Sequence, residues 1–291
     1  MARGLLGQGP APRARRRAGA AALNGDGGGA EVVAVRDVSA GDFDYERGGG
    51  SYARHRQADP RIEALVHEAL GAARRVLNVG AGTGSYEPAD RYVAAVEPSA
   101  RMRAQRPAHR VPAIDARAES LPFDDGAFDA AMAMVTVHQW SDPAAGLREL
   151  RRVSSGPVVV LTFEGAALDR FWLSDYVPEL VAAERRRYPA LDWIAEQLGG
   201  VSDVVAVPVP VDCRDGFTEA FYARPEQFLD DGVRRAQSAW GFVDPEVEAR
   251  AVARLRCDLE DGTWHRRYGH LLGQATFAGS LRLLVNVASP A

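Results

Sequence analysis

Short apolar runs alternate with amphipathic stretches from about residue 60 onward. Arg75–Val79, Tyr92–Val96, Phe128–Val135 and Val158–Phe163 read as buried strands, with a weaker one at Val111–Ile114. Asp59-Pro60 is a helix start: Asp caps free N–H groups and Pro fits the first helical position. Ile62, Leu65, Val66, Ala69 and Leu70 follow at helical spacing, and Gly71 stops the helix. Ser99–Gln105 and Asp142–Val153 are the next helices, the latter with Ala144, Leu147, Leu150 and Val153 on one face. Strands alternating with helices predict a parallel sheet of βαβ units. From Gly80 to Arg91 there are only 12 residues, and Pro88 interrupts them, so this crossover has room for a turn or two of helix at most.

Past Phe163 the pattern changes. Leu168–Leu198 looks helical with breaks at Pro178 and Pro189, Asp203–Val211 looks strand-like, and Phe217–Gly273 is mostly helical again. Leu281–Val287 reads as a last strand. A helical insertion before a final strand predicts a lid on a sheet domain. The expected organisation is a basic Gly/Ala/Arg-rich disordered extension over 1–50 and one domain over 51–291. Within that domain the core spans 74–164, the lid about 165–200 and 217–275, and the final strand about 280–288.

Composition narrows the function classes. All 35 cationic residues are arginine, and five of them stand within residues 1–25, which hold no acid. The rest of the chain carries 30 arginines against 39 acids, a net −9 that would repel phosphates, so nucleic acid is not the expected partner. A start at one of the valines between Val32 and Val38 would remove the basic head, which the intact mass of the native protein tests. No apolar run approaches the roughly 20 residues of a membrane span. Cys213 and Cys257 are too few for a disulfide framework or a cysteine zinc site, and His265 and His270 lack zinc-ligand spacing. A reduced, cytoplasmic setting and no metal are expected, and nothing fixes an oligomeric state.

Val76-Leu77-Asn78-Val79-Gly80-Ala81-Gly82-Thr83-Gly84 carries the sharpest local signal. A strand running into glycines lets the backbone approach a ligand, because glycine has no Cβ and tolerates positive φ. A dinucleotide and a nucleoside such as S-adenosylmethionine both suit such a loop. The dinucleotide fingerprint needs a third glycine where Ser85 stands, which weakens an NAD(P)-dependent oxidoreductase reading. Glu97 closes the next strand, in the place where an acid accepts both ribose hydroxyl hydrogens.

Residues 76–163 resemble the class I S-adenosylmethionine-dependent methyltransferases, nearest the type 11 group that includes ubiquinone and menaquinone C-methyltransferases. The resemblance rests on residues 76–84, Val96-Glu97-Pro98-Ser99, residues 118–123 (Ala-Glu-Ser-Leu-Pro-Phe), residues 128–132, Trp140-Ser141-Asp142-Pro143 and residues 147–153. It implies a Rossmann-like, doubly wound, mostly parallel α/β sheet and S-adenosyl-L-methionine as cofactor. It also implies roles for particular residues. Gly80, Ala81, Gly82 and Gly84 would pass under the methionine and ribose, Glu97 would hold the ribose hydroxyls, and Pro98 and Ser99 would line the adenine pocket. Ala118 and Glu119 would touch the adenine edge, and Val135 to His138 would pass beside the methyl donor. Asn78 replaces the usual acid ahead of the loop, and Arg117 stands where an Asp often reaches the adenine amino group. Tyr52 and Arg56 lie where the family often grips the cofactor carboxylate, a task suited to arginine.

Methyl transfer from a sulfonium is an in-line displacement that needs alignment and dryness more than a base. His138 is the candidate base or positioning group, against the plainer alternative of a histidine packed under the lid; His265 is a second candidate. The C-terminal half is rich in aromatics, among them Trp172, Tyr176, Tyr188, Trp240 and Trp264. Most of them read as core, and a minority would line a pocket for a small, partly apolar organic acceptor. A non-catalytic S-adenosylmethionine-binding module is the competing reading.

Overall fold

The computed structural model describes residues 55–289. The basic extension and Tyr52 lie outside the described residues. Helix α1, Pro60–Ala69, starts where Asp59 accepts from the Arg61 amide at 3.0 Å. Asp59 also accepts from the Arg61 guanidinium and, at 3.1 Å, from the Arg214 amide, which ties the start of the helix to the C-terminal half. Burial would push this carboxyl up, but those hydrogen bonds outweigh it and hold its pKa down at about 2.

The strands and helices then follow as β1 Arg75–Val79, β2 Tyr92–Val96, α2 Ala100–Ala104, β3 Ala113–Ile114, β4 Ala130–Met134, α3 Pro143–Val153 and β5 Val158–Phe163. Next come α4 Pro178–Arg187, α5 Leu191–Leu198, β6 Val201–Ala206, β7 Val209–Pro210, α6 Asp231–Arg235, α7 Pro245–Glu260, α8 Thr263–Tyr268, β8 Thr276–Phe277 and β9 Leu281–Val287. The main sheet runs β3-β2-β1-β4-β5-β9-β6, with β1 to β5 parallel and β9 antiparallel to both its neighbours. This is the doubly wound, mostly parallel sheet that the resemblance implies.

Alternate residues of each strand feed two cores, because side chains on a strand point to opposite faces. Val76, Met132, Val159 and Leu161 pack with α1 and the C-terminal segments. Leu77, Val79, Ala131, Ala133 and Val160 pack with Leu147 and Leu150 of α3 and Ile194 of α5. The near-continuous burial of β1 and β5 reflects cover on both faces.

Several bounds differ from the expectation. The first crossover, residues 80–91, contains turns and no helix. The third strand shrinks to Ala113–Ile114. The fourth starts at Ala130, Phe128 making only an isolated bridge to Ser154, and ends at Met134 because Val135 turns to φ +53. The segment 203–211 splits into β6 and β7, which lie in different sheets; Pro208 between them has no N–H to continue a ladder. Residues 165–175 form two short 3-10 segments in place of a regular helix. Most of the C-terminal aromatics are core: Trp172 packs edge-on to Trp264 and Phe228, with ring centroids 5.5 and 5.7 Å apart.

Candidate active site

The glycine loop leaves β1 with φ of +66 at Gly80, +50 at Gly82 and +94 at Gly84. A Cβ on Gly80 would lie 2.1 Å from the Thr136 hydroxyl oxygen, so the chain just past β4 demands glycine there. Glu97, the residue after β2, braces the loop. Its Oε2 accepts from the Gly82 amide and its Oε1 from the Ser99 amide, each at 2.8 Å. The Ala81 amide donates to Val96 O at 2.9 Å. Burial pushes the Glu97 carboxyl up, while the two backbone N–H groups and Arg103 and Arg106 pull it back. Each oxygen spends one lone pair on the backbone and keeps capacity for a further donor. Ser99 also caps α2, its Oγ accepting from the Met102 amide, and Pro98 O accepts from Arg103 at 2.8 Å.

A buried network lies beneath the loop. Asn78 donates to Glu87 Oε1 at 3.0 Å, and Glu87 takes both its oxygens to Arg106 at 2.8 and 2.9 Å. Arg106 also donates to Gly82 O at 3.2 Å. The negative charge missing at Asn78 is therefore present in space, supplied nine residues later by Glu87. Asn78 Oδ1 is buried without a partner. Nothing local marks Glu87 or Arg106 in the sequence; the helix-free crossover is the one signal, since a bare 12-residue link needs side chains to hold it. Tyr86, at φ +64, is a second pin, donating its hydroxyl to Asp215 at 2.7 Å.

The loop at 118–123 packs on the far side. Ala118 is buried beside Gly146, and Glu119 accepts from Ser141 Oγ at 2.9 Å and from the Asp142 amide at 3.0 Å. Arg117 is half-buried.

Past β4 the chain turns at Val135, a β-branched residue at φ +53 held by donation of its amide to Leu161 O at 2.7 Å. Val135 and His138 line a cavity of about 30 Å³ together with Arg56, Glu184, Tyr188, Glu219 and Gln237. Thr136, in contact with Gly80, separates this cavity from the glycine loop by one residue. His138 is buried against Tyr188, with ring centroids 4.5 Å apart. Burial, then the nearby charges of Arg187 and Arg56, hold its pKa well below the usual histidine value, so the ring is neutral. Arg56 Nε donates to Asp215 at 2.5 Å in a buried ion pair. Glu219 makes no ion pair among the described residues, and burial pushes its pKa up to about 7 against the Ser280 amide and Arg282. Glu184 and Tyr188 at the end of α4, Glu219 and Gln237 come from three separate segments and have no sequence signature as a group. His265 is exposed on α8, away from the cavity.

The residues present fit a nucleoside sulfonium. The positive-φ glycines leave room for its backbone-hugging part, Glu97 has two oxygens with spare capacity for a ribose diol, and Asn78 Oδ1 is a buried acceptor awaiting a donor. Among the described residues no cluster of three or more His, Cys, Asp or Glu suits a metal ion, and no helix is long and apolar enough to cross a membrane.

The strand order and the pairing of glycine loop with strand-end acid define a class I methyltransferase fold. Residues 77–160 match the family described as methyltransferase domain, and the fold suits S-adenosylmethionine as cofactor. A demethylmenaquinone methyltransferase of Mycolicibacterium gilvum is 30% identical over 141 residues, 44% of this chain and 62% of that protein. A ubiquinone/menaquinone biosynthesis C-methyltransferase of Geobacter sp. is 32% identical over 119 residues, 35% of this chain and 51% of that protein. The chain thus spans between half and two thirds of these curated relatives. A solved structure from Anabaena variabilis, assigned as a methyltransferase of an antibiotic biosynthesis pathway, is 28% identical with a TM-score of 0.75, covering 80% of this chain and 99% of that one.

Proposed function

We propose that this protein transfers the methyl group of S-adenosylmethionine to a small, partly apolar organic acceptor that binds beside Val135 and His138, with the cavity there taking one polar group of it. The observation that carries the reading is the Glu97 carboxylate, bound to the loop through the Gly82 amide and keeping free acceptor capacity at the end of β2. Gly80, Ala81, Gly82 and Gly84 pass under the cofactor, Glu97 takes the ribose hydroxyls, and Pro98, Ser99, Ala118 and Glu119 border the adenine. Asn78 Oδ1 accepts from the cofactor's amino group. Arg56, already paired with Asp215, is left to steer the cofactor carboxylate by charge, with Tyr52 its companion in that role.

The cofactor supplies an activated methyl group, so the chain's task is alignment and exclusion of water. Val135 and Thr136 set the methyl-facing wall, and the segments at about 165–200 and 217–275 act as the lid that closes it. His138, buried and neutral, is a positioning group at that wall. Calorimetric titration with S-adenosylhomocysteine tests the reading. Glu97→Ala is expected to weaken binding by about 1–3 kcal/mol, roughly 5- to 150-fold, because it strips the buried hydroxyls of their partner. Absence of binding to the wild type, or unchanged affinity in the variant, contradicts it.

A further inference from the structure

The cavity beside Val135 is polar in an uneven way. Its carboxylates already hold donors: Glu184 pairs with Arg187 at 2.7 Å, and Glu219 takes the Ser280 amide at 2.8 and 3.0 Å. Two of its nitrogens hold nothing. Gln237 Oε1 accepts from the Thr218 hydroxyl at 2.9 Å and from the Trp240 indole at 3.3 Å, which fixes the amide's orientation and leaves Nε2 buried without a partner. His138 Nε2 lies 3.2 Å from the Gln139 amide nitrogen, a group that only donates. Nε2 is therefore the acceptor, and the neutral ring carries its proton on Nδ1, which is likewise buried without a partner. His138 is 7% exposed and Gln237 4%. Buried donors are nearly always paired in native proteins, so two unpaired ones lining one small cavity call for an occupant.

We propose that this cavity receives an uncharged carbonyl oxygen of the methyl acceptor, taken by the free N–H groups of His138 and Gln237. A ketone, amide or ester group has the required acceptor lone pairs and no charge. A carboxylate would be set beside Glu184 and Glu219, while an ammonium would find those two carboxylates already holding donors and the two free N–H groups opposing it. Phe163 and Tyr188, with ring centroids 5.3 Å apart, add flat walls suited to a planar group. Calling the occupant the acceptor rests on the methyltransferase reading; the donor pair itself does not.

The test compares acetophenone, benzylamine and benzoate by ligand-observed NMR titration, with and without saturating S-adenosylhomocysteine. Acetophenone is expected to bind at least about 10-fold more tightly than either charged analogue. Gln237→Leu and His138→Phe are each expected to erase that margin. On the wild type, the imidazole nitrogen shifts of His138 are expected to place the proton on Nδ1, a readout that needs no variant to fold. Equal or tighter binding of benzylamine or benzoate, no saturable binding of acetophenone, or a proton on Nε2 overturns the proposal. Homocysteine-product binding is scored separately: its failure with the ketone preference intact removes the methyltransferase reading and leaves the carbonyl site, and the reverse result does the opposite.

Discussion

The glycine loop and the cavity beside it meet across Thr136, yet they are built differently. The loop site draws on a contiguous stretch, residues 78–99, and its geometry is mostly backbone: amides of Gly82 and Ser99 on Glu97, and the Ala81 amide on Val96 O. The cavity draws side chains from positions 56, 138, 184, 188, 219 and 237, brought together by packing of the C-terminal segments. A backbone-built site tolerates little change at each position but holds its shape from local sequence. A side-chain-built site is open to substitution, and this is where one fold can be retuned for different acceptors.

The largest effect is expected where the loop is tightest. Gly80→Ala adds a methyl 2.1 Å from Thr136 Oγ1 at φ +66. Overpacking and the left-handed backbone together are expected to cost about 3–4 kcal/mol in urea unfolding. Adding Thr136→Gly should recover the steric part and leave about 1–2 kcal/mol from the backbone. On the cavity side, Gln237→Leu, close in volume, relieves one unpaired buried donor but leaves the Trp240 indole without its acceptor, and is expected to cost about 1–2 kcal/mol. If the two single variants cost the same, the contrast between the sites is wrong.

Acid–base behaviour sharpens the contrast from the cavity side. Burial raises Glu219 from the ordinary 4.5 to about 7. Its carboxyl then binds a proton more tightly in the folded than in the unfolded chain. The resulting stability is fully present below about pH 4.5 and is lost as pH rises through about 7. Between pH 5 and pH 8 the wild type is expected to lose about 2–3 kcal/mol relative to Glu219→Gln, which has no proton to lose. Urea unfolding of both proteins at the two pH values measures this, and a pH-independent difference rules out an ionising Glu219.

How much the sequence reveals follows the same division. The strands Arg75–Val79, Tyr92–Val96, Val158–Phe163 and Leu281–Val287 are legible to the residue, because short apolar runs bounded by turn residues leave little choice. The adjacency of the glycine loop and Glu97 is legible too, since strand, loop, strand and acid follow in order. Glu87 and Arg106 are not, because an ion pair across a helix-free crossover has no periodicity. Neither are the positive φ values of Tyr86 and Val135: aromatic and β-branched residues disfavour that region, so only the surrounding hydrogen bonds impose it. Arg56 illustrates the limit. The resemblance sets it near the cofactor carboxylate, and nothing in the sequence points to its partner Asp215, which stands 159 residues away.

Helix caps provide the finest test of the comparison. In the cofactor half, α1, α2 and α3 are each closed by a side chain: Asp59, Ser99 and Asp142. The two helices that follow β5 are not. Helix α4 begins at Val177 and α5 at Ala190 with no side-chain cap. Ala190 is exposed and already extended, with φ −62 and ψ 144, so a serine there has the backbone it needs to accept from an amide in the first turn. Ala190→Ser is expected to raise stability by about 1 kcal/mol, and Asp142→Ala to lower it by a similar amount. Thermal unfolding of the two variants checks both signs. A stabilised Ala190→Ser protein with unchanged S-adenosylhomocysteine affinity would locate the slack in α5 itself, which packs with α3 in the core that the cavity does not share. A gain in that affinity would mean that the ordering of α5 reaches the cofactor loop, and the two sites would then have to be treated as one cooperative unit.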